Sequence, residues 1–176
     1  MGHYTSGSAL IKPNRAEEGI VKLSRGLAAL RAFGAEVDRV VGLAELAEGY
    51  CKVARAAEGL AIVAEGLAES QRIGNHWFEA ELHRLNGELL LRGSPQASRD
   101  ETQACFRQAL KVAKRQKAKW WELQATISLA RLLAKQGHRE QARAMLAEIY
   151  NWFTEGFDTA DLKDAWALLD QLADVA

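Results

Sequence analysis

The sequence predicts an all-α protein, a right-handed α-solenoid of about three and a half stacked helix-turn-helix repeats followed by a C-terminal capping helix. Composition is the first reason, because Ala, Leu, Glu, Lys, Arg and Gln dominate the 176 residues and only two prolines occur. Repetition is the second reason. The segment Trp77-Phe78-Glu79 returns as Trp120-Trp121-Glu122, 43 residues later, and a helix that recurs at such a distance is typical of stacked helical units.

Helix-start and helix-stop residues divide the chain into eight predicted helices. Asn14 has Glu17 three residues on, which forms a capping box, and Asp158 with Asp161 opens the last helix in a similar way. Glycines such as Gly137 mark helix ends. The expected bounds are 14–33, 36–53, 56–73, 76–92, 98–116, 119–136, 139–153 and 158–173.

A common rule links the second helices of the repeats. Each carries a small residue, a large apolar residue four positions on, and another small residue three positions later, with Ile149 as the one departure. The units start 40, 43 and 40 residues apart and are Gly19-Leu23-Gly26, Gly59-Val63-Gly66, Thr102-Phe106-Ala109 and Ala142-Leu146-Ile149. A glycine inside a helix costs about 1 kcal/mol relative to alanine. Glycines retained on one face therefore predict close approach of a neighbouring helix, and this applies to Gly19, Gly26, Gly42, Gly49, Gly59, Gly66 and Gly87.

The two ends of the stack differ in their patterns. Residues 1–13 are weakly patterned, and we expect a short or partly ordered remnant of a first helix, with residues 14–176 forming a single repeat domain. Helix 14–33 would then lack part of its cover, which predicts homodimerisation through this truncated repeat. Helix 158–173 is expected to cap the other end with Leu162, Ala165, Trp166, Leu169 and Leu172 on one side. Trp77, Trp120 and Trp121 are expected to be packing anchors between repeats.

These patterns resemble two known families. The first helices, Leu43-x2-Leu46-Ala47-x2-Tyr50, His83-x2-Asn86-Gly87-x2-Leu90 and Thr126-x2-Leu129-Ala130-x2-Leu133, are similar to a loosened tetratricopeptide (TPR) repeat. Segments 77–91, 104–110, 123–132 and 150–163 resemble the C-terminal TPR-like region of bacterial proteins that join a class III adenylate or guanylate cyclase to a signal-transduction ATPase. The resemblance implies a regulatory, protein-binding or sensor arm. No G-x4-G-K-[ST] loop occurs here, so the catalysis of those larger proteins is not carried over.

Candidate catalytic and metal-binding groups do not form a recognisable site in the sequence. His76, Glu79 and His83 share a helix face, yet only three such groups are present and His83 occupies a packing position of the repeat. Ser, His and Asp occur without a nucleophile elbow. Cys51 and Cys105 are isolated within helices, which favours core positions and a reducing compartment. We therefore predict no enzyme activity, no catalytic residues, no metal and no cofactor, with an unrecognised enzyme as a remote alternative.

Charge favours neither nucleic acid nor membrane as a partner. Acidic and basic residues number 23 each, no apolar run reaches the length of a membrane span, and no signal peptide is visible, so a cytoplasmic location is expected. Residues 99–119 carry a net charge of plus five, and residues 155–176 carry minus five. The basic stretch could bind the phosphates of a nucleic acid, or it could contact the acidic stretch head to tail. A solvated outer face explains its charge more simply.

The concave groove, lined by the first helix of each repeat, is the predicted functional surface. Its expected side chains are polar and of mixed charge: Glu48, Lys52, Glu81, Arg84, Glu88, Arg92, Gln124, Arg131 and Lys135. Such a groove suits an extended peptide or a partner helix held by charge-assisted hydrogen bonds. The sequence thus predicts a non-catalytic protein-interaction or scaffold module. A small-ligand sensor is the alternative, and ordinary solvated i,i+4 pairs are the third interpretation of the same residues.

Overall fold

A computed structural model of the chain describes residues 16–33, 36–93 and 99–173. These ranges contain eight α-helices and no strand. In chain order they are α1 (Ala16–Phe33), α2 (Glu36–Lys52), α3 (Ala56–Ile73), α4 (Glu79–Gly93), α5 (Arg99–Gln116), α6 (Lys119–Lys135), α7 (Arg139–Tyr150) and α8 (Ala160–Ala173). Every predicted helix is present within these ranges, and the all-α prediction is confirmed.

The helices pack in the order of the chain, as stacked hairpins do. The closest pairs are α2 with α3, α4 with α5, and α6 with α7, and each hairpin also contacts the next one. The first helices of the hairpins lie side by side, since α2 contacts α4, α4 contacts α6, and α6 contacts α8. Helix α1 packs against α2 ahead of the three hairpins, and α8 packs against α7 at the other end of the described stack. The helical-repeat architecture is therefore confirmed, whereas its right-handed superhelical sense stays a prediction.

The small–large–small rule describes the core of the three complete repeats. Its positions on α3, α5 and α7 are all buried, with Phe106 and Leu146 at 0% exposure. On α1 the rule fails, because Leu23 is only half-buried and Gly26 is exposed, with no described atom within 4 Å of the place where a Cβ atom would lie. A small residue is thus needed only where another helix packs against it.

Gly87 is the tightest of the predicted close contacts between a first and a second helix of one hairpin. A Cβ atom placed there would lie 2.5 Å from Cε1 of the buried Phe106 ring and 2.8 Å from its Cδ1. Real Cβ atoms do not approach a ring this closely, so α4 can lie this near α5 only with glycine at this position.

The helix ends depart from prediction around the connections. Helix α4 begins at Glu79 and not at His76, and α7 ends at Tyr150 and not at residue 153. Helix α8 begins at Ala160, directly after Thr159. The Thr159 hydroxyl donates to the Gly156 carbonyl at 2.7 Å. The prediction that Asp158 opens this helix was therefore wrong. The capping box predicted at Asn14 lies outside the described residues.

Two aromatic predictions were also wrong. Trp77 is 67% exposed in the connection before α4, so it does not anchor one repeat to the next. Trp166 is 60% exposed, and Leu168 takes its expected place among the buried residues of α8. Trp121 does act as an anchor, because its ring lies 5.5 Å from that of Phe78, at the start of the preceding hairpin.

This difference between the tryptophans predicts different stabilities for two alanine variants. Trp121→Ala removes a half-buried ring that packs on Phe78, Ala80 and Val112, and it should lower the free energy of unfolding by about 2–4 kcal/mol. Trp77→Ala should change it by about 0.5 kcal/mol or less, since an exposed ring has little packing to lose. Urea denaturation followed by circular dichroism measures both. Equal losses in the two variants would contradict this assignment.

The predicted dimer contact at the first repeat stays a prediction. The remnant expected in residues 1–13 lies outside the described residues. On α1, Ile20 is buried and Val21 is 48% exposed, so this helix does present some apolar surface.

Within residues 16–33, 36–93 and 99–173, none of the helices combines the length and the apolar character needed to cross a membrane.

Candidate functional site

The inner layer of the stack consists of α2, α4, α6 and α8, and it holds the residues predicted to line a groove. These helices lie side by side because each connection reverses the chain, so the first helix of every repeat returns to the same layer. The nine predicted groove residues all lie on α2, α4 and α6. The structure brings these helices together as predicted, but it divides the nine side chains into two groups.

Arg84 is the centre of the first group and is used inside the protein. Its Nε donates to Glu81 Oε2 at 2.8 Å and its Nη2 donates to Glu81 Oε1 at 2.6 Å, while Glu88 lies 3.7 Å from Nη1. The Arg84 side chain is only 14% exposed and that of Glu81 only 11%. Burial lowers the pKa of Arg84, but the charges and hydrogen bonds of Glu81 and Glu88 outweigh that effect and raise the pKa above its usual range. Glu81 and Arg84 are therefore largely buried and paired with each other, and a role for them in binding a partner stays a prediction.

Other members of this group connect neighbouring helices of the inner layer. The Ser128 hydroxyl on α6 donates to Glu88 on α4 at 2.7 Å. The Gln124 amide donates to Asp161 on α8 at 2.7 Å, and Arg131 is ion-paired with Asp164 of the same helix. No buried polar side-chain atom of the described residues lacks a hydrogen-bond partner. Glu88, Gln124 and Arg131 therefore hold the layer together.

Ser128, Asp161 and Asp164 belong to this network, and sequence reasoning missed all three. The two aspartates were expected only to lie away from the apolar side of the capping helix. One signal was available, because Asp164 follows Gln124 by 40 residues, the spacing of the repeats, and therefore falls on the inner layer.

The second group lies at the C-terminal ends of the inner helices and is open to solvent. Lys52, Arg92 and Lys135 are exposed, and they occupy equivalent positions, because 40 and 43 residues separate them. Lys52 pairs with Glu48 at 2.8 Å, and both side chains keep more than a third of their surface exposed. Arg92 and Lys135 make no ion pair with a described carboxylate. Among the predicted groove residues, Lys52, Arg92 and Lys135 are exposed, as is Arg131, which is paired with Asp164.

Asp161 is an inner-layer carboxyl group with a raised pKa. Burial raises the pKa of its carboxyl group, the hydrogen bond from Gln124 opposes that rise, and the nearby Asp164 adds to it. The folded protein therefore binds more protons than the unfolded chain at pH values between 3.8, the ordinary pKa, and the raised one. Stability falls as the pH increases through this window.

Asp161→Asn is expected to be more stable than the wild type at pH 7, because it removes a disfavoured charge and keeps an oxygen that accepts from Gln124. The advantage should shrink as the pH is lowered from 7 to 4, because protonation of Asp161 in the wild type removes the same charge. Denaturant unfolding at both pH values measures the change. Asp164→Asn is the matched control, and it should not stabilise the protein because it breaks the ion pair with Arg131. A destabilised Asp161→Asn at pH 7 would contradict the prediction.

The histidines and thiols show no arrangement that activates them. His76 and His83 lie 3.4 Å and 3.9 Å from the Glu79 carboxylate, and burial lowers the pKa of His83. Burial also raises the pKa of both thiols, Cys51 and Cys105, which disfavours the reactive thiolate. Across the described ranges, no group of three or more His, Cys, Asp or Glu side chains is placed to hold a metal ion.

Comparison with known proteins identifies no family for this chain. No protein-family model matches the sequence, and no curated protein matches it. The likeness to the TPR-like arm of cyclase–ATPase proteins accordingly stays a hypothesis.

Proposed function

We propose that this protein is a non-catalytic interaction module that binds an extended acidic peptide across the C-terminal ends of α2, α4 and α6. The observation that supports this most directly is the row of exposed cations at equivalent positions, Lys52, Arg92 and Lys135. Each lies in the last turn of an inner helix. A cation there also interacts favourably with the helix dipole and stabilises the helix by about 0.3–1 kcal/mol. The three cations lie in one layer and at one edge of the stack, because each inner helix ends at that edge.

The spacing of the row defines the peptide that fits it. Adjacent packed helices lie about 8–10 Å apart, so neighbouring cations of the row are separated by about that distance. A polyproline II segment has three residues per turn and a rise of about 3.1 Å, so every third side chain points the same way about 9 Å further on. An extended peptide with an acidic residue at every third position therefore matches the row. Each carboxylate would accept charge-assisted hydrogen bonds from one cation.

The test uses a labelled twelve-residue peptide with Glu at every third position and prolines between, measured by fluorescence anisotropy. We expect binding to the wild type and a loss of about tenfold or more in affinity for Arg92→Glu/Lys135→Glu, since each charge-assisted bond contributes about 1.5–3 kcal/mol. Lys111→Glu is the matched control, because Lys111 is equally exposed but lies on α5, in the other layer. Its affinity should stay within about twofold of the wild type.

Three outcomes would contradict the proposal. The wild type could fail to bind the peptide, it could bind a version with Gln in place of Glu equally well, or the double variant could bind like the wild type. Circular dichroism of the double variant distinguishes lost binding from lost folding. Since both replaced side chains are exposed, the helical signal should not change.

A further inference from the structure

The exposed aromatic side chains of the described residues gather at one edge of the stack. This edge, the aromatic edge, is where α4, α6 and α8 begin and α3, α5 and α7 end. Exposed large aromatic side chains there are Trp77 at 67%, Trp120 at 37%, Trp152 at 56%, Phe157 at 45% and Trp166 at 60%. At the opposite edge, the described connections 53–55 and 136–138 contain no Trp, Phe or Tyr. Exposed aromatic clusters of this kind are characteristic of interaction surfaces.

Contacts join the connections of this edge into one surface. The Gln116 amide at the end of α5 donates to the His76 carbonyl in the connection before α4. Lys119 at the start of α6 places its ammonium 5.6 Å from the centre of the Trp152 ring. Trp120 packs edge-on against Phe153, with 6.5 Å between the ring centres. The surface therefore runs without interruption from the α3–α4 connection to the α7–α8 connection.

One half of the aromatic edge is basic. Lys114, Arg115, Lys117 and Lys119 lie at the α5–α6 turn, and the first two side chains are 61% and 63% exposed. Their internal partners, the carboxylates of Glu79 and Glu122, are only 14% and 8% exposed. The cations are therefore on the outside of these pairs, and the surface that a partner meets is positive.

Lys117 carries a conformational cost at this position. Its φ is +56°, a left-handed backbone conformation that disfavours a side chain. The same conformation occurs after α2 at Ala54, after α3 at Gly74 and after α6 at Gly137, so the turns of this stack adopt it both with and without a side chain.

The other half of the aromatic edge is acidic. Glu155 and Asp158 are exposed in the α7–α8 connection, a few residues beyond Trp152 and Phe153. Trp120 and Trp152 lie between the cations of the α5–α6 turn and these carboxylates, while Trp77 lies beyond the cations in the α3–α4 connection. A surface with cations on one side of its central rings and carboxylates on the other is complementary to itself after a two-fold rotation, which is the requirement for an interface between identical chains.

We infer that a second copy of this chain docks on the aromatic edge around a two-fold axis near Trp152. The aromatic rings of the two copies pack on each other at the centre. Lys117 of each copy faces Asp158 of the other, so each interface contains the charge pair twice. This contact is separate from the row of cations proposed to bind a peptide, and from the dimer predicted at the first repeat.

The first test is the dissociation constant of the dimer from analytical ultracentrifugation over a range of concentrations. Trp152→Ala should raise it by about 30-fold, as expected for a central tryptophan of an interface. Lys117→Glu and Asp158→Lys should each weaken the dimer, because each places like charges opposite one another twice. The combined variant Lys117→Glu/Asp158→Lys restores opposite charges in reversed order and should dimerise nearly as well as the wild type.

Three control variants separate this surface from the others. Arg107→Glu makes the same change of charge on an exposed residue of α5 away from the edge, and Val21→Glu alters the end of the stack at α1. Arg92→Glu/Lys135→Glu disrupts the proposed peptide site. All three should leave the dimer intact, so a failure of the peptide proposal can be told apart from a failure of this one.

Several results would overturn the inference. They are a monomeric wild type, a dimer that Trp152→Ala does not weaken, or a combined charge variant that is no stronger than the single ones. A monomer whose tryptophan fluorescence shifts to the blue on addition of phosphatidylglycerol vesicles would assign the edge to an anionic lipid surface, and it would also overturn the dimer.

Discussion

Phe106→Ala is expected to lower the free energy of unfolding by about 3–5 kcal/mol. The ring is fully buried in the largest hydrophobic cluster of the described core, where it connects α5 to α4 and α6. Its removal leaves a cavity between two hairpins of a stack in which each repeat depends on its neighbours. Urea denaturation monitored by circular dichroism gives the change in stability. A loss of less than about 1 kcal/mol would show that the ring is not the packing centre assigned to it.

The same ring determines how the protein tolerates a change at Gly87. In the wild type, Gly87→Ala should destabilise the protein by about 1 kcal/mol or more, because the new methyl group overlaps the Phe106 ring and overpacking outweighs the gain in helix propensity. In a Phe106→Ala background the overlap is gone, so Gly87→Ala should stabilise the protein by up to about 1 kcal/mol. Gly26→Ala is the matched control and should stabilise the wild type, because no described atom lies within 4 Å of the added group. A Gly87→Ala effect of the same sign in both backgrounds would contradict the assigned contact.

Arg84→Met is expected to have the second large effect, a loss of about 3–5 kcal/mol. The guanidinium of Arg84 donates two hydrogen bonds to Glu81. The side chains of Glu81, Arg84 and Glu88 are all largely buried. Methionine keeps most of the apolar volume but leaves two carboxylates facing each other without a cation. Denaturant unfolding at pH 7 measures the loss.

Arg131→Met is the matched control for Arg84. Arg131 also lies on the inner layer and pairs with a carboxylate, but its side chain is 47% exposed and that of Asp164 is 44% exposed. Water screens such a pair, so its removal should cost about 1 kcal/mol or less. Similar losses in the two variants would mean that burial does not distinguish the two arginines.

The different burial of Arg84 and Arg131 decides which variants can test partner binding in the groove. The sequence predicts that Arg84 and Arg131 both line the groove. Charge reversal at both positions would therefore be a natural test of partner binding. In the structure, reversal of Arg84 would disrupt the inner layer itself, and lost binding could then reflect lost folding. Arg92 and Lys135 avoid this problem because they are exposed and make no ion pair with a described carboxylate.

Much of the fold was predictable because helical packing leaves a periodic signal in the sequence. The buried positions of α3, α5 and α7 follow the small–large–small rule, and Gly87 was predicted as a close-contact point before its partner Phe106 was known. Less predictable were the connections. Trp77 resembles Trp120 in local sequence, yet it lies in a connection and is exposed, because α4 starts three residues later than its pattern indicates.

The candidate site was only partly predictable. The row of Lys52, Arg92 and Lys135 follows from repeat spacing and was among the predicted groove residues. The internal use of Glu81, Arg84, Glu88 and Gln124 did not follow, since their partners lie on the same helix in some cases and on the next inner helix in others. A charge on the inner face looks the same in sequence whether it meets solvent or another side chain.

The amino-acid sequence by itself predicted the class of fold, the order of the helices within the described ranges, and the buried small–large–small positions of α3, α5 and α7. These features depend on spacing within a helix and on the repeat distance, and both are properties of the chain read in one dimension. Tertiary structure alone decided which charges neutralise each other and which aromatic rings remain exposed. Both outcomes depend on distances between residues about 30–40 positions apart, such as Gln124 and Asp161, and on the fact that successive connections return to one edge of the stack. That edge, which joins cations, aromatic rings and carboxylates from three connections, exists only once the helices are stacked.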